Sequence, residues 1–198
     1  TPVMAESQPS ITQEQLKQGD EWANQAFIAT NQGDFATAET YWTKIIEQFP
    51  TNAGAWSNRG NSRVSQNKLQ EALTDYKKAI ELAPNVTDPY LNRGAALEGL
   101  GKWDDAIADY NHVLQLDPND AMAYNNRGNA KTGLGKWDDA IADYKKSNAI
   151  APNFAFARAN WVSPYGLDSR YKDINWVKNI RRWPPSMVIA LDKFLKLQ

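Results

Sequence analysis

The sequence predicts an all-α protein built as a repeat solenoid, and three observations carry that prediction. The twelve residues GLGKWDDAIADY stand at 99–110 and return unchanged at 133–144, thirty-four residues later. Pro50, Pro84, Pro118 and Pro152 keep the same interval, as do Ala38, Ala72, Ala106 and Ala140. Within each copy, large and small residues recur four and seven apart, the spacing of one helix face. A period of this length implies stacked units, each burying its apolar side on the next.

Taken in order, residues 1–18 read as an N-terminal extension and the start of the first helix. Ser10 with Gln13 fits a capping box, so that helix is expected to begin near Ile11. The chain starts at Thr1 with the polar TPVMAESQPS, which is how a chain reads after removal of a targeting segment or after trimming. Residues 19–154 form four units, 19–52, 53–86, 87–120 and 121–154, each of two helices, A and B, joined by a turn.

In helix A, Trp22, Trp56, Tyr90 and Tyr124 occupy position 4 of the unit and Ala26, Gly60, Gly94 and Gly128 occupy position 8. In helix B, Phe35, Leu69, Trp103 and Trp137 stand at position 17, and Trp42, Tyr76, Tyr110 and Tyr144 at position 24. A small residue at 8 lets helix B approach, and the aromatic at 24 fills the groove. Gly33, Gly101 and Gly135 at position 15 are expected to end helix A in a left-handed turn, with Asn67 read as standing just after that turn in the second unit. The prolines at position 32 close helix B, because proline cannot donate the next backbone hydrogen bond.

Beyond Phe154 the pattern weakens. FAFARAN starts a degenerate fifth unit, SPYG at 163–166 cuts it short, a helix resumes from about Tyr171 to Trp183, and Pro184 and Pro185 end it. SMVIALDKFLKL then makes a terminal amphipathic helix. Residues 155–198 are therefore read as an irregular segment that caps the last repeat, since an open solenoid end leaves apolar surface in water. In that reading Trp183 packs beneath the terminal helix.

These positions resemble the tetratricopeptide repeat family: the period of thirty-four, the aromatic at 4, the small residue at 8, alanine at 20, aromatic at 24 and proline at 32 recur in four consecutive units. The resemblance implies a right-handed superhelix whose concave face is lined by the A helices. One departure is position 7, usually leucine in the family, which is Arg59, Arg93 and Arg127 here. Asp75, Asp109 and Asp143 stand at position 23 of the same units, so each arginine is expected to pair with a helix B aspartate in a charge-assisted, structural contact.

Composition and inventory narrow the function. The chain carries a net charge of −1, no cysteine, and no apolar run approaching the roughly 18–20 residues of a membrane span. The balance is uneven: residues 155–198 hold eight Lys and Arg against Asp168, Asp173 and Asp192, giving +5 there and −6 in the rest. A solvated basic helix face accounts for this, as does an acidic partner or a membrane surface. The single histidine, His112, is at a position of helix B that is usually exposed and lacks a partner at ligand spacing, and the WDD pairs at 104–105 and 138–139 suit the positive end of a helix dipole. No catalytic residue, metal site, cofactor or nucleic-acid motif is expected.

The functional signal is position 6. Asn24, Asn58, Asn92, Asn126 and Asn160 occupy it in the four units and the partial fifth. An amide offers a donor and an acceptor, so a ladder of them can bond the backbone of an extended peptide whatever its side chains; the resemblance implies this use, while the bland alternative is local bonding. The carboxylate clamp of chaperone-binding relatives needs basic residues on helix A, whereas position 2 carries Asp20, Gly54, Asp88 and Met122, which argues against a receptor for Hsp70 or Hsp90 tails.

The expectation is a non-enzymatic scaffold that binds another protein. The alternative is a stable subunit of a larger complex, with Trp161, Tyr165 and Trp176 as partner anchors and peripheral association with a membrane complex. The NRG and AIADY repeats followed by NIRRWPPSMVIALDKFL also resemble repeat proteins of cyanobacteria and plastids. That resemblance implies a photosystem assembly or auxiliary factor in a chloroplast or in a cyanobacterial thylakoid lumen.

Overall fold

The computed structural model describes residues 11–151. Among them are eight α-helices and no strand: α1 Gln13–Asn31, α2 Phe35–Gln48, α3 Ala53–Ser65, α4 Leu69–Leu82, α5 Asp88–Gly99, α6 Trp103–Leu116, α7 Ala121–Gly133 and α8 Trp137–Ile150. Odd-numbered helices are the A helices and even-numbered ones the B helices. They divide into two compact units, α1–α4 ending at Pro84 and α5–α8 beginning at Asn85. The segment read as a cap, with Trp183, lies outside the described residues.

Capping shows how locally each helix is specified. α1 opens on a capping box made two residues later than expected: Thr12 Oγ1 accepts from the Gln15 amide at 3.2 Å and the Gln15 side chain accepts from the Thr12 amide at 2.9 Å. Asp34, Asn52 and Asp120 cap α2, α3 and α7 in the same manner, each accepting from the amide three residues on. In the third repeat Val86 stands where Asn52 and Asp120 do, and α5 starts from Thr87 without a side-chain cap bond, helped by a proline in its first turn. α6 and α8 also lack a side-chain cap and instead carry the paired aspartates in their first turns.

The turn between A and B helices is left-handed in all four repeats. Gly33, Gly101 and Gly135 have φ of 76°, 70° and 72°, and Asn67 has φ 61°. Asn67 therefore occupies the turn position itself, not the residue after it, because asparagine tolerates the left-handed region better than other residues with a Cβ.

Size complementarity builds the core. A Cβ placed on Gly60, Gly94 or Gly128 would come within 2.6, 2.5 and 2.6 Å of the ring of Tyr76, Tyr110 and Tyr144 respectively. Those tyrosines are almost fully buried. In the first repeat Ala26 takes the glycine's place in the core, and Trp42, Ile45 and Ile46 of α2 fill out a cluster that reaches Ala55 of α3.

Candidate functional site

The arginines of position 7 are structural. Arg59 grips Asp75 with Nε at 3.0 Å and Nη2 at 2.7 Å. Arg93 grips Asp109 at 2.8 and 2.6 Å, and Arg127 grips Asp143 at the same two distances. This is the planar fork-to-fork geometry that arginine makes with a carboxylate, and it satisfies both oxygens of an aspartate that is almost wholly buried. The hydrogen bonds that Arg93 donates to Asp109 raise its pKa, as those donated to Asp143 raise that of Arg127. Each guanidinium also lies over the position 4 aromatic of its own helix, Trp56, Tyr90 or Tyr124.

In the first unit the pair grows into a network. Arg63 donates to both Asp75 and Glu39, and Lys68 and Gln66 donate to Glu39. Burial pushes the Glu39 carboxyl up, but the bonds from Lys68, Arg63 and Gln66 outweigh it and hold it down at about 2. In the second unit Lys131 joins Asp143 at 2.7 Å. Leu97 occupies the position equivalent to Arg63 and Lys131, so among the described residues Arg93 and Asp109 form a pair without a second cation.

The position 6 asparagines are differently placed. Asn24 is exposed, and Asn58, Asn92 and Asn126 are half-buried. Asn126 Oδ1 accepts from the neighbouring Asn125 side chain at 3.3 Å, the one case of local bonding. The side-chain amides of Asn24, Asn58 and Asn92 make no hydrogen bond within the described residues. Three positions further on, amides serve packing: Asn61 and Asn129 accept the hydroxyls of Tyr76 and Tyr144 at 2.8 Å. The third repeat has Ala95 there, and Glu98 accepts the Tyr110 hydroxyl instead. Burial pushes the Glu98 carboxyl up to about 7, with the Tyr110 hydroxyl partly offsetting it.

Asn58 stands in a trough of the first unit, between α1 and α3. A cavity of about 510 Å³ has Leu16, Asp20 and Ala23 of α1 on one side and Gly54 and Asn58 of α3 on the other. Its floor is Trp42 and Ile45 of α2 and Phe49, the residue that caps that helix's C-terminus. A second cavity of about 210 Å³ also touches Trp42 and Asn58 and runs on past Phe27 to Asn61 and Ser65. Asp20 is the only charged residue lining either cavity. Sequence reasoning found Asn58 but not Phe27, Phe49 or Asp20 as members of this trough. The signal available for Phe27 was its place at position 9, where the other repeats have Asn61, Ala95 and Asn129. Asn160, Trp161, Tyr165 and Trp176 lie outside the described residues.

The chemistry on offer is hydrogen bonding and apolar contact. His112 stacks on Tyr90 with ring centroids 4.3 Å apart. Among the described residues no group of three or more His, Asp and Glu could hold a metal, and no helix is long and apolar enough to cross a membrane.

Helix pairs in a fixed repeat, with uncommitted amides beside a trough between successive A helices, define a helical-repeat protein-interaction scaffold. The chain belongs to the tetratricopeptide repeat family: models described as TPR repeat or tetratricopeptide repeat match residues 24–52, 60–101, 99–135 and 121–154. Comparison with curated proteins returns no match. Among solved structures the chain is similar to MamA from Desulfovibrio magneticus RS-1, at 18% identity and TM-score 0.67 over 91% of this chain and 93% of that one. It is also similar to a tetratricopeptide repeat protein from Parabacteroides merdae, at 22% identity and TM-score 0.66 over 91% and 73%. Both likenesses show the fold. The first TPR of Spaghetti (RPAP3), bound to the HSP90 peptide SRMEEVD, matches at 30% identity and TM-score 0.53 over 54% of this chain and 85% of that one.

Proposed function

We propose that the protein is an adaptor that holds an extended segment of a partner protein against its A helices, bonding the partner's backbone through the position 6 asparagines. The observation that carries this reading is the amide of Asn58, which has no partner of its own within the described residues and sits where two cavities of one trough meet. An unspent donor and acceptor beside an apolar floor suits a polypeptide, which presents both backbone groups and side chains. The peptide-bound RPAP3 repeat supports the general mode of use.

The test is recovery of partners from source extract by the full chain, with identification by mass spectrometry, compared with a variant in which Asn58, Asn92 and Asn126 are all alanine. An adaptor loses its partner in the variant while keeping its helix content. A stable subunit anchored through Trp161, Tyr165 and Trp176 keeps it. On the resemblance of its repeats and C-terminal sequence, the proposal extends to a partner in a photosynthetic membrane complex and to a chloroplast or thylakoid-lumen location. Immunodetection in fractionated thylakoids tests that extension, and absence from them refutes it.

A further inference from the structure

The charges around the trough choose its occupant. Asp20, exposed on α1, is the sole charged group lining either cavity. Lys17, one turn before Asp20 on α1, lines neither cavity, and the arginines and lysine of α3 and the turn after it are held in ion pairs: Arg59 to Asp75, Arg63 to Asp75 and Glu39, and Lys68 to Glu39. An acidic segment entering this trough would bring carboxylates onto an apolar floor that no cation lines, with Asp20 repelling them, at a cost in desolvation. A cationic residue would find Asp20 at the rim.

The apolar side of the match is set by the floor. Leu16, exposed, and Phe49, half-buried, offer aliphatic and aromatic surface above the buried Trp42 and Ile45, and Gly54 adds no side chain to the α3 wall. The larger cavity, about 510 Å³, falls within the roughly 300–1,000 Å³ typical of ligand sites. Asn58 lines both cavities, with a side-chain amide able to bond a peptide backbone.

We infer that the trough of the first unit selects an extended peptide in which a large apolar residue, seated on Leu16 and Phe49, is accompanied within two residues by a lysine or arginine that pairs with Asp20. This rests on the peptide-binding reading above and names the partner's chemistry. Such a peptide is opposite in charge to the acidic SRMEEVD bound by the RPAP3 repeat.

The experiment is a positional-scanning array of nine-residue peptides bound to the full chain, followed by fluorescence polarisation of the best binder. The expected best binders combine Leu, Phe, Trp or Met with Lys or Arg no more than two residues away. Replacing that cation by Glu weakens binding by about three- to five-fold, the scale of one exposed ion pair. Asp20→Asn produces a similar loss, and Asp20→Lys shifts the preference to acidic peptides; circular dichroism confirms that both variants fold. If peptides bind and Asn58→Ala weakens them but Asp20→Asn and the peptide charge have no effect, the charge selection is wrong and the peptide-binding reading stands. If no peptide binds above background both are wrong, and if Asn58→Ala has no effect while Asp20→Asn weakens binding, backbone bonding through Asn58 is wrong and the charge selection stands.

Discussion

Arg93→Ala and Asp109→Ala, alone and together, give a clean measure of what replaced the family's usual leucine at position 7. The pair is bidentate at 2.8 and 2.6 Å, with side chains 25% and 7% exposed, and no second cation joins it within the described residues. Removing Arg93 strands a buried carboxylate, which costs about 3–5 kcal/mol, and removing Asp109 strands a guanidinium that is better exposed and can partly resolvate. The double variant loses both partners at once and is left with no orphaned charge. It should therefore fall short of the sum of the singles by roughly 2–3 kcal/mol. The contact of Arg93 with the Tyr90 ring is lost equally in Arg93→Ala and the double variant, so it cancels from the cycle. Urea unfolding followed by circular dichroism gives the free energies, and the Arg93→Ala midpoint should drop by roughly 6–20 °C in a thermal scan. Additive losses within about 0.5 kcal/mol would refute the reasoning and leave Arg93 free for a binding role.

Three further outcomes follow from particular contacts. Glu98 titrates at about 7 in the fold against 4.5 for a freely solvated glutamate, so the fold holds its proton more tightly. Its contribution is full below pH 4.5 and is lost as pH rises through 7, by roughly 2–3 kcal/mol. Glu98→Gln, which can still accept from Tyr110, should flatten that fall in denaturant curves between about pH 5 and 8, and an unchanged slope contradicts it. Gly128→Ala puts a methyl 2.6 Å from the Tyr144 ring and should cost about 1–3 kcal/mol despite the better helix propensity of alanine, whereas a stabilised variant would show that the ring moves freely. Asn67→Gly, at φ 61°, should leave stability within about 1 kcal/mol while Asn67→Val lowers it clearly, because a β-branched residue is excluded from that turn.

Much of this was legible because the information is local and repeated four times. The glycine at position 8 and the aromatic at 24 announced each other by size, and the position 7 arginine announced the position 23 aspartate because two charges sharing one buried layer need to meet. The start of α1 lies two residues later than the sequence suggests because Thr12 with Gln15 makes the same capping-box pattern as Ser10 with Gln13, and the spacing alone does not choose between them. The trough was half legible. Asn58 stood out by its period, but the cavity is made by side chains from three helices, Asp20, Phe49 and Phe27 among them, and these break the repeat instead of following it. The Glu39 network was hidden for the same reason: Arg63, Gln66 and Lys68 reach back to a residue of the preceding repeat.

The most direct test of the trough as the binding site is a nitrogen-15 titration of the 22.3 kDa chain with the best peptide of the array, following the side-chain amides of its asparagines. The account predicts that the Asn58 amide shifts first and furthest, together with the Trp42 indole, while Asn61, already bonded to Tyr76, and the outward lysines Lys77 and Lys145 stay in place. Shifts that gather on the B-helix lysines and leave Asn58 and Trp42 unmoved would contradict it.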